Sequence, residues 1–291
     1  MSKISIVLVT YNSSKHIYDC LDSIHKYNDL GDELEIIVVD NDSEEQLAMF
    51  SRIRELYGDK ILLTSSGRNG GYGFGNNVGF SMSSSPIVIV MNPDVRVVSP
   101  IFKDILKQFD DSSVGMIGVD YVDGSCPYYF KREHSTLINN LLFKFYVRRR
   151  RYDSKKMFMT GSFLVFRKDA FEKAGKFDEN IFLYSEEADI TNRILMSGYK
   201  AEWCPSIKVF HFAHGRSFNA YLDKIRLQSG LYYEMKYHFD SEKIYRANKL
   251  YLRVKILLST IFFRCDKKVF FKKMLANLIE FHRDNIHSYR V

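Results

Sequence analysis

Four short apolar runs, each followed by polar residues, constrain the fold more than any other feature of this sequence. The stretches after the first two runs, residues 14–28 and 43–57, are interpreted as helices. Strands that alternate with helices indicate parallel βαβ units. The sequence therefore predicts an α/β fold with a doubly wound, mostly parallel sheet, whose first four strands are ISIVLVT (4–10), LEIIVVD (34–40), KILLTS (60–65) and PIVIVMN (86–92).

Polar groups follow the carboxyl ends of all four strands; the third strand runs into the glycine-rich segment described below, and the other three carry short polar sequences. They are Thr10-Tyr11-Asn12, Asp40-Asn41-Asp42 and Asn92-Pro93-Asp94. In open α/β sheets, ligands bind outside the carboxyl ends of the strands. One aspartate at a strand end is more often a helix cap, but several polar strand ends in succession favour a ligand site.

The glycine-rich segment NGGYGFGNNVG, residues 69–79, follows the third strand and holds five of the 16 glycines in the chain. A dinucleotide fingerprint requires G-x-G-x-x-G after the first strand, and a Walker loop ends in Gly-Lys-Ser/Thr, so the segment fits neither. The sequence predicts a loop whose backbone runs close to a ligand, with Asn76 and Asn77 as polar contacts. A strand-to-helix turn without ligand contact stays open as the alternative.

The second half of the chain alternates less clearly. FMTGSFLVF (158–166) predicts one strand, and residues 186–197 predict a helix. Three carboxylates, Glu186, Glu187 and Asp189, fall in the first turn of this helix. Carboxylates there interact favourably with the helix dipole, which by itself accounts for their placement.

Positive charge is concentrated in two regions. The net charge is +7, with nine Lys or Arg against two acids in residues 131–156 and twelve against four in residues 241–291. Aromatic and aliphatic residues accompany these cations, which favours an anionic membrane surface over nucleic acid, for which no motif is present. We predict two domains, residues 1–217 and a basic, aromatic, helical region at 218–291.

Several classes of protein are disfavoured. The four cysteines are scattered without metal-ligand spacing, which argues against structural zinc and fits a reducing compartment. No apolar stretch reaches the length of about 18 residues that a membrane span needs. The apolar run near the N-terminus is too short for a signal peptide. We therefore expect a cytoplasmic protein.

Seven motifs occur in order along residues 3–217: VTYN, VVDN, NGGYGFGNNVGF, MNPDV, GSFLVFRKDAF, GKFDENIFLYSEEADITNRILMSGY and HFAHGRS. Each motif is weak alone, but the ordered set resembles inverting family-two glycosyltransferases, which have the GT-A fold. It is most similar to bacterial O-antigen and capsule rhamnosyltransferases. These share the glycine segment, NPD, a Y-x-E-D-x-D segment and H-x-A-H before a basic tail.

The resemblance implies a pocket for a nucleoside diphosphate sugar. Tyr11 would stack on the base, and Asp40 would accept a hydrogen bond from the imide N–H of uracil or thymine. The donor-binding residues implied for this sequence are Thr10, Tyr11, Asn12, Asp40, Asn69, Gly70, Gly71, Asn76, Asn77, Asn92 and Asp94.

The resemblance also implies a divalent cation, Mg²⁺ or Mn²⁺, which stabilises the departing nucleoside diphosphate. Family members bind it through a DxD motif. This sequence has NPD instead, so that Asn92 replaces the first acid and Asp94 is the remaining carboxylate. Relatives add a histidine further along the chain, for which His211 is the first candidate and His214 the second.

The acceptor hydroxyl needs a base, because its pKa is far above neutral. Alignment of YSEEAD with Y-x-E-D-x-D puts Glu187 at the base position, with Glu186 as the alternative. Glutamate in place of aspartate lengthens this arm by one methylene. Asp189 would orient the site or pair with Arg193. One base and one displacement imply inversion at the anomeric carbon.

The implied reaction transfers a sugar to a surface-polysaccharide precursor on a polyprenyl pyrophosphate lipid, at the inner face of the plasma membrane. The resemblance points to dTDP-L-rhamnose as donor; UDP-galactose, UDP-galactofuranose and an amino sugar stay open. A nucleotidyltransferase is disfavoured because TYNSSKH after the first strand has no glycine. An inactive nucleotide-sugar binding module is the remaining alternative. The oligomeric state is not predicted.

Overall fold

The computed structural model describes residues 2–212 and 218–285. The strands within these residues are β1 Ile4–Thr10, β2 Leu34–Asp40, β3 Ile61–Ser65, β4 Ile87–Met91, β5 Val95–Val97, β6 Val114–Tyr121, β7 Tyr128–Phe130, β8 Met157–Met159, β9 Phe163–Arg167 and β10 Lys200–His211. The α-helices are α1 Ser14–Lys26, α2 Gln46–Tyr57, α3 Gly71–Met82, α4 Phe102–Gln108, α5 Leu137–Arg148, α6 Lys168–Lys173, α7 Glu186–Met196, α8 Ala220–Lys236, α9 Ser241–Ile261 and α10 Cys265–Asp284.

The main sheet has the strand order β3-β2-β1-β4-β9-β6-β10-β5. Its first four strands are parallel, as the βαβ pattern predicts. β9 is antiparallel to both of its neighbours, β4 and β6, and β5 is antiparallel to β10 at the far edge. The prediction of a doubly wound, mostly parallel α/β sheet is confirmed.

Helices cover both faces of this sheet. On one face, buried residues of α1 and α2 share a core with Ile4, Ile6 and Leu8 of β1. On the other face, α3 lies against the alternate residues Val7 and Val9. Side chains alternate along a strand, so the mostly apolar residues of β1 pack against helices on both faces of the sheet.

The prediction of a loop over residues 69–79 is wrong from Gly71 onward, because Gly71–Met82 form the helix α3. A Cβ on Gly79 would lie 2.3 Å from Val7 Cγ1 and 2.9 Å from Val39 Cγ2. A Cβ on Gly75 would lie 2.7 Å from a methyl group of Val9. These glycines let the helix axis approach the sheet closely, and this packing offsets their low helix propensity.

The prediction of one strand over residues 158–166 is also wrong. The chain forms β8 and β9 here, and β8 pairs with β7 in a separate two-stranded sheet. Between them, the backbone N–H of Asn92 donates to the carbonyl of Ser162 at 2.9 Å. Residues 160–162, which we call the crossing segment, therefore lie beside the end of β4.

The chain packs as two units. The sheet unit comprises residues 2–129, 158–182 and 186–212, and the helical unit comprises residues 130–157, 183–185 and 218–285. The helical unit has its own apolar core, formed by Leu227, Leu231, Tyr245, Leu252, Leu278 and Phe281. The unit also contains residues 130–157, which the sequence-based division assigned to the first domain. That functional division stays a prediction.

None of the helices formed by the described residues contains a stretch that is both long enough and apolar enough to span a bilayer. The longest helix, α9, has 21 residues with charged side chains along its length.

The packing of α3 gives a stability prediction. Gly79→Ala improves helix propensity by about 1 kcal/mol, but overpacking against Val7 and Val39 costs about 1–3 kcal/mol. We expect a net loss in the free energy of unfolding, measured by urea denaturation. Ser81→Ala, on the exposed side of the same helix, is the control. An unchanged or higher stability of Gly79→Ala would contradict the close packing.

Candidate active site

The carboxyl ends of the parallel strands lie at one edge of the sheet unit. In the register, Thr10 of β1 is opposite Asp40 of β2, and Asp40 is opposite Ser65 of β3. β4 adjoins β1 on its other side and ends at Met91. The predicted polar residues therefore follow neighbouring strands at a common edge, where α/β proteins bind ligands.

Asp40 is fully buried at this edge, and its carboxylate is hydrogen-bonded to neighbouring residues. Its carboxylate accepts hydrogen bonds from Thr10 Oγ1 at 2.9 Å, from the backbone N–H of Ser43 at 2.8 Å and from Ser43 Oγ at 2.6 Å. The carboxylate thus ties the ends of β1 and β2 together. Ser43 was missed in the sequence, although a serine three residues after a strand-end aspartate is a common capping arrangement. The base contact of Asp40 stays a prediction.

Tyr11 and Asn12 form the exposed side of the same edge. The Tyr11 side chain is 50% exposed, which leaves an aromatic face available to a ligand. Asn12 has φ 49°, in the left-handed region that asparagine tolerates. Its N–H donates to Ser43 Oγ at 2.8 Å, and its side-chain oxygen accepts from Glu44 N at 3.3 Å. The turn after β1 is therefore fixed against the turn after β2.

Asn41 joins the end of β2 to the start of α3. Its Nδ2 donates to the Gly71 carbonyl at 3.0 Å and to Asn69 Oδ1 at 3.3 Å. Gly71 has φ 88°, and a Cβ there would lie 2.0 Å from the Phe182 carbonyl oxygen. Only glycine satisfies both constraints. At Gly70, a Cβ would collide with the Phe74 side chain instead.

Asn76 and Asn77 are buried on α3 rather than exposed on a loop. Asn76 Nδ2 donates to the Tyr72 carbonyl within the helix. Asn77 bonds both backbone groups of Phe177, at 3.0 and 3.1 Å, and also donates to Glu179 Oε1. In this structure Asn77 therefore holds the segment that leads to α7.

Asp94 and His211 meet because β10 runs antiparallel to β5, with His211 opposite Val95. Their Oδ2 and Nε2 atoms lie 3.5 Å apart. Burial acts to raise the pKa of Asp94, but the hydrogen bond and the charge of His211 outweigh it, so that this pKa is below its ordinary value. His214, the second candidate, lies outside the described residues.

The carboxylate of Asp94 fits a divalent cation. Asp94 Oδ1 is buried and has no hydrogen-bond partner, so one carboxylate oxygen is left for a ligand. Carboxylate oxygen suits Mg²⁺ and Mn²⁺, and His211 adds a nitrogen. Residues 2–212 and 218–285 contain no cluster of three His, Cys, Asp or Glu that could enclose a metal. Further ligands would come from phosphate oxygens and water.

The three carboxylates of α7 lie in different environments. Glu186 is 3% exposed, and its Oε2 has no partner. Burial raises the pKa of Glu186 well above its ordinary value, and the charges of Glu187 and Asp189 raise it further. Asp189 is fully buried and paired with Arg193, whose Nε lies 2.9 Å from Asp189 Oδ2. Arg193 also donates to two backbone carbonyls, so this pair braces the helix.

Glu187 is the partly exposed member of the three. Its Oε1 accepts a hydrogen bond of 3.0 Å from the backbone N–H of Gly161, in the crossing segment. A Cβ on Gly161 would lie 2.6 Å from this oxygen, so glycine is required for the contact. Tyr72 Oη donates to the Gly161 carbonyl from α3. Gly161 and Tyr72 were not identified as site residues from the sequence.

Tyr121 contacts both the crossing segment and His211. Its hydroxyl bonds Thr160 Oγ1 at 2.8 Å and Ser162 Oγ at 2.6 Å, on either side of Gly161. Its ring centroid lies 5.6 Å from that of His211. Burial, supplemented by the charge of Glu187, raises the pKa of Tyr121 to about 12. The hydroxyl therefore stays protonated at neutral pH, between the metal-binding candidates and Glu187.

Glu186 gives a pH-dependent prediction. Its raised pKa means that the folded protein keeps a proton that the unfolded chain releases above about pH 4.3. Stability therefore falls as pH rises from this value towards neutral, by up to about 1.4 kcal/mol per pH unit from this group.

We expect Glu186→Gln to remove this contribution and to be more stable than the wild type at neutral pH. Urea denaturation across the pH range measures the difference, with the exposed Glu172→Gln as control for the loss of a carboxylate. A difference between Glu186→Gln and wild type that does not change with pH would contradict the raised pKa.

Comparison with known proteins finds similar sequences among sugar transferases. The low-salt glycan biosynthesis hexosyltransferase Agl10 of Haloferax volcanii is 22% identical over 242 residues, which are 79% of this chain and 71% of Agl10. The dTDP-rhamnosyl transferase RfbF of Shigella flexneri is 23% identical over 214 residues, 72% of this chain and 69% of RfbF.

Among solved structures, the mannosyltransferase PcManGT from Pyrobaculum calidifontis, in complex with GDP-Man and Mn²⁺, has a TM-score of 0.68 at 19% identity. The alignment covers 98% of this chain and 87% of PcManGT and shows a shared fold. The sequence model of the family described as "Glycosyl transferase family 2" matches residues 5–175. Because this match spans more than half of the chain, the protein is a glycosyltransferase and belongs to glycosyl transferase family 2.

Proposed function

We propose that the protein transfers a sugar from a nucleoside diphosphate donor to an acceptor hydroxyl, with inversion at the anomeric carbon. The observation that carries this proposal is the crossing segment. It contacts the end of β4 near Asp94 and, through Gly161, it contacts Glu187. A candidate phosphate-and-metal site and a candidate base are thereby held by one piece of backbone.

On the donor side, Asp94 and His211 would hold a divalent cation, which supplies Lewis-acid stabilisation of the pyrophosphate charge. Asp94 keeps a buried, unpartnered oxygen, and its low pKa keeps the carboxylate ionised at neutral pH. Tyr11, at the exposed end of β1, would stack on the base, and Asp40 would bind the imide N–H or shape that end of the pocket.

On the acceptor side, Glu187 would take the proton of the attacking hydroxyl. The Gly161 N–H fixes one of its carboxylate oxygens and so orients the group. Burial raises the pKa of Glu186 and so favours its protonated form, which cannot accept the proton; Glu187 is therefore preferred as the base. A single displacement with one base inverts the anomeric centre. Asp189, neutralised by Arg193, would act by positioning α7.

For the donor we propose dTDP-L-rhamnose, supported by the order of the motifs and by the similarity to a dTDP-rhamnosyl transferase. For the acceptor we propose a saccharide on a polyprenyl pyrophosphate lipid, at the cytoplasmic face of the membrane. The support for this acceptor is the motif resemblance and the excess of Lys and Arg in residues 131–156 and 241–291.

A donor panel tests the metal and nucleotide assignments together. We expect dTDP-L-rhamnose with Mg²⁺ or Mn²⁺ to raise the melting temperature more than UDP-galactose or UDP-galactofuranose does. In the wild type, EDTA should remove the metal-dependent part of this shift. Asp94→Asn removes the negative charge at the proposed metal site, so the metal-dependent part should be absent from this variant.

Asp110→Asn, at an exposed position, is the matched control for the donor panel. A full metal-dependent shift in Asp94→Asn would exclude Asp94 from the metal site. A larger response to a UDP-sugar would replace the rhamnose assignment by a UDP-hexose or UDP-galactofuranose transferase.

The base assignment has its own test. Glu187→Gln should retain donor binding by thermal shift, while the rate of sugar transfer falls by about 10²–10⁴-fold, because the hydroxyl loses its proton acceptor. Glu186→Gln is the matched control, since glutamine resembles the protonated carboxyl of Glu186 and should leave most of the rate intact. The opposite ranking of the two variants would make Glu186 the base.

A further inference from the structure

The helical unit contains a cavity of about 830 Å³ between α5, α9 and α10. One acid, Asp266, lines it together with five cationic side chains. The cations are Lys144, Lys255, Arg264, Lys267 and Lys273. The apolar part of the lining consists of Phe218, Leu258, Phe262, Val269, Phe270 and Phe271. The cavity is therefore amphipathic, with a strong excess of positive charge.

Lys255 is influenced by the positive charges of two other lysines that line the cavity. Burial lowers the pKa of Lys255, and the charges of Lys144 and Lys267 lower it further. These three lysines come from three different helices. Lys144 and Lys267 are exposed and Lys255 is partly buried. Like charges near a partly buried lysine are unfavourable, and an anion between them relieves this repulsion. The charge pattern is complementary to a phosphate group.

The turn between α9 and α10 is apolar and exposed. Ile261 is 56% exposed, Phe262 is 62% exposed and Phe263 is 90% exposed. Phe262 and Arg264, at this turn, also line the cavity. An exposed apolar patch bordered by cations is the arrangement that proteins present to an anionic bilayer.

Helix α5 also combines exposed apolar side chains with cations. Ile138, Leu141, Leu142 and Phe145 are 44–68% exposed, and none of the residues of α5 is buried. This helix provides Lys144 to the cavity and is followed by the arginines at 149–151. The cavity, the turn between α9 and α10, and helix α5 thus each combine apolar side chains with cations.

We propose that this cavity binds the phosphate headgroup of an anionic phospholipid, while the turn Ile261–Phe263 enters the boundary of the acyl chains. Lys144, Lys255 and Lys267 surround the phosphate, and the phenylalanines of the lining contact the first part of the acyl chain. The lipid site belongs to the helical unit alone and is independent of donor, metal and base. It is a discrete site, in addition to a general attraction of positive charge to the membrane.

Vesicle sedimentation with the full chain, without donor or acceptor, tests the cavity. The vesicles are phosphatidylcholine with and without phosphatidylglycerol. Lys255→Ser combined with Lys267→Ser should weaken binding to the anionic vesicles by roughly tenfold to thirtyfold. The matched control, Lys243→Ser combined with Lys272→Ser, changes two exposed lysines of the same helices outside the cavity. It should stay within about threefold of the wild type. Equal losses in the two double variants would overturn the discrete site.

The turn is tested separately with Phe263→Asn, since asparagine tolerates the φ of 51° at this position. We expect about tenfold weaker vesicle binding, because the ring no longer enters the bilayer. Leu47→Asn, which changes a 79% exposed leucine of α2, is the control. Unchanged binding of Phe263→Asn would exclude insertion of the turn.

Two further measurements distinguish a lipid site from a folding defect and from a nucleic-acid site. A cooperative unfolding transition in urea confirms that each variant is folded, and loss of vesicle binding with this transition retained supports a lipid site. If the full chain binds duplex RNA and the Lys255/Lys267 double variant loses this binding to the same extent, the cavity is a nucleic-acid site and the lipid assignment is overturned.

Discussion

The pairing of β1 with β2 on one side and with β4 on the other is the constraint on which the rest of the site depends. These strands are parallel, so their polar ends lie at one edge, and the register puts Thr10 opposite Asp40. A shift of one residue would move alternate side chains to the opposite face of the sheet. The buried carboxylate of Asp40, bonded by Thr10 and Ser43, stabilises this register at the edge where the site lies.

The first turn of α7 shows how environment separates the chemistry of similar groups. Burial raises the pKa of Glu186, an ion pair neutralises Asp189, and Glu187 remains partly exposed with one oxygen bound by Gly161. The crossing segment connects Glu187 to Tyr121, whose ring lies against His211. The proposed acceptor and donor chemistry thus share a small number of backbone contacts.

The sequence predicted the regular part of the fold well. The boundaries of β1 and β2 and the start of α7 agree with the apolar runs and the acidic first turn, because these features depend on local pattern. The glycine segment was misinterpreted because glycine favours loops locally, whereas Gly75 and Gly79 lie in a helix that packs on valines far away in sequence. Gly161 and Tyr121 were missed for the same reason, since their roles are contacts between distant segments. Ser43 was missed although its bond to Asp40 is local.

The sequence by itself determined the alternating architecture, the candidates for donor and metal binding, and the family to which the chain belongs. These follow from local periodicity and from short motifs in a fixed order. Only the tertiary structure decided which α7 carboxylate is accessible, that Asp94 lies 3.5 Å from His211, and that lysines of three helices line one cavity. Burial and distance between segments remote in the chain set these properties, and neither is encoded in any single stretch of residues.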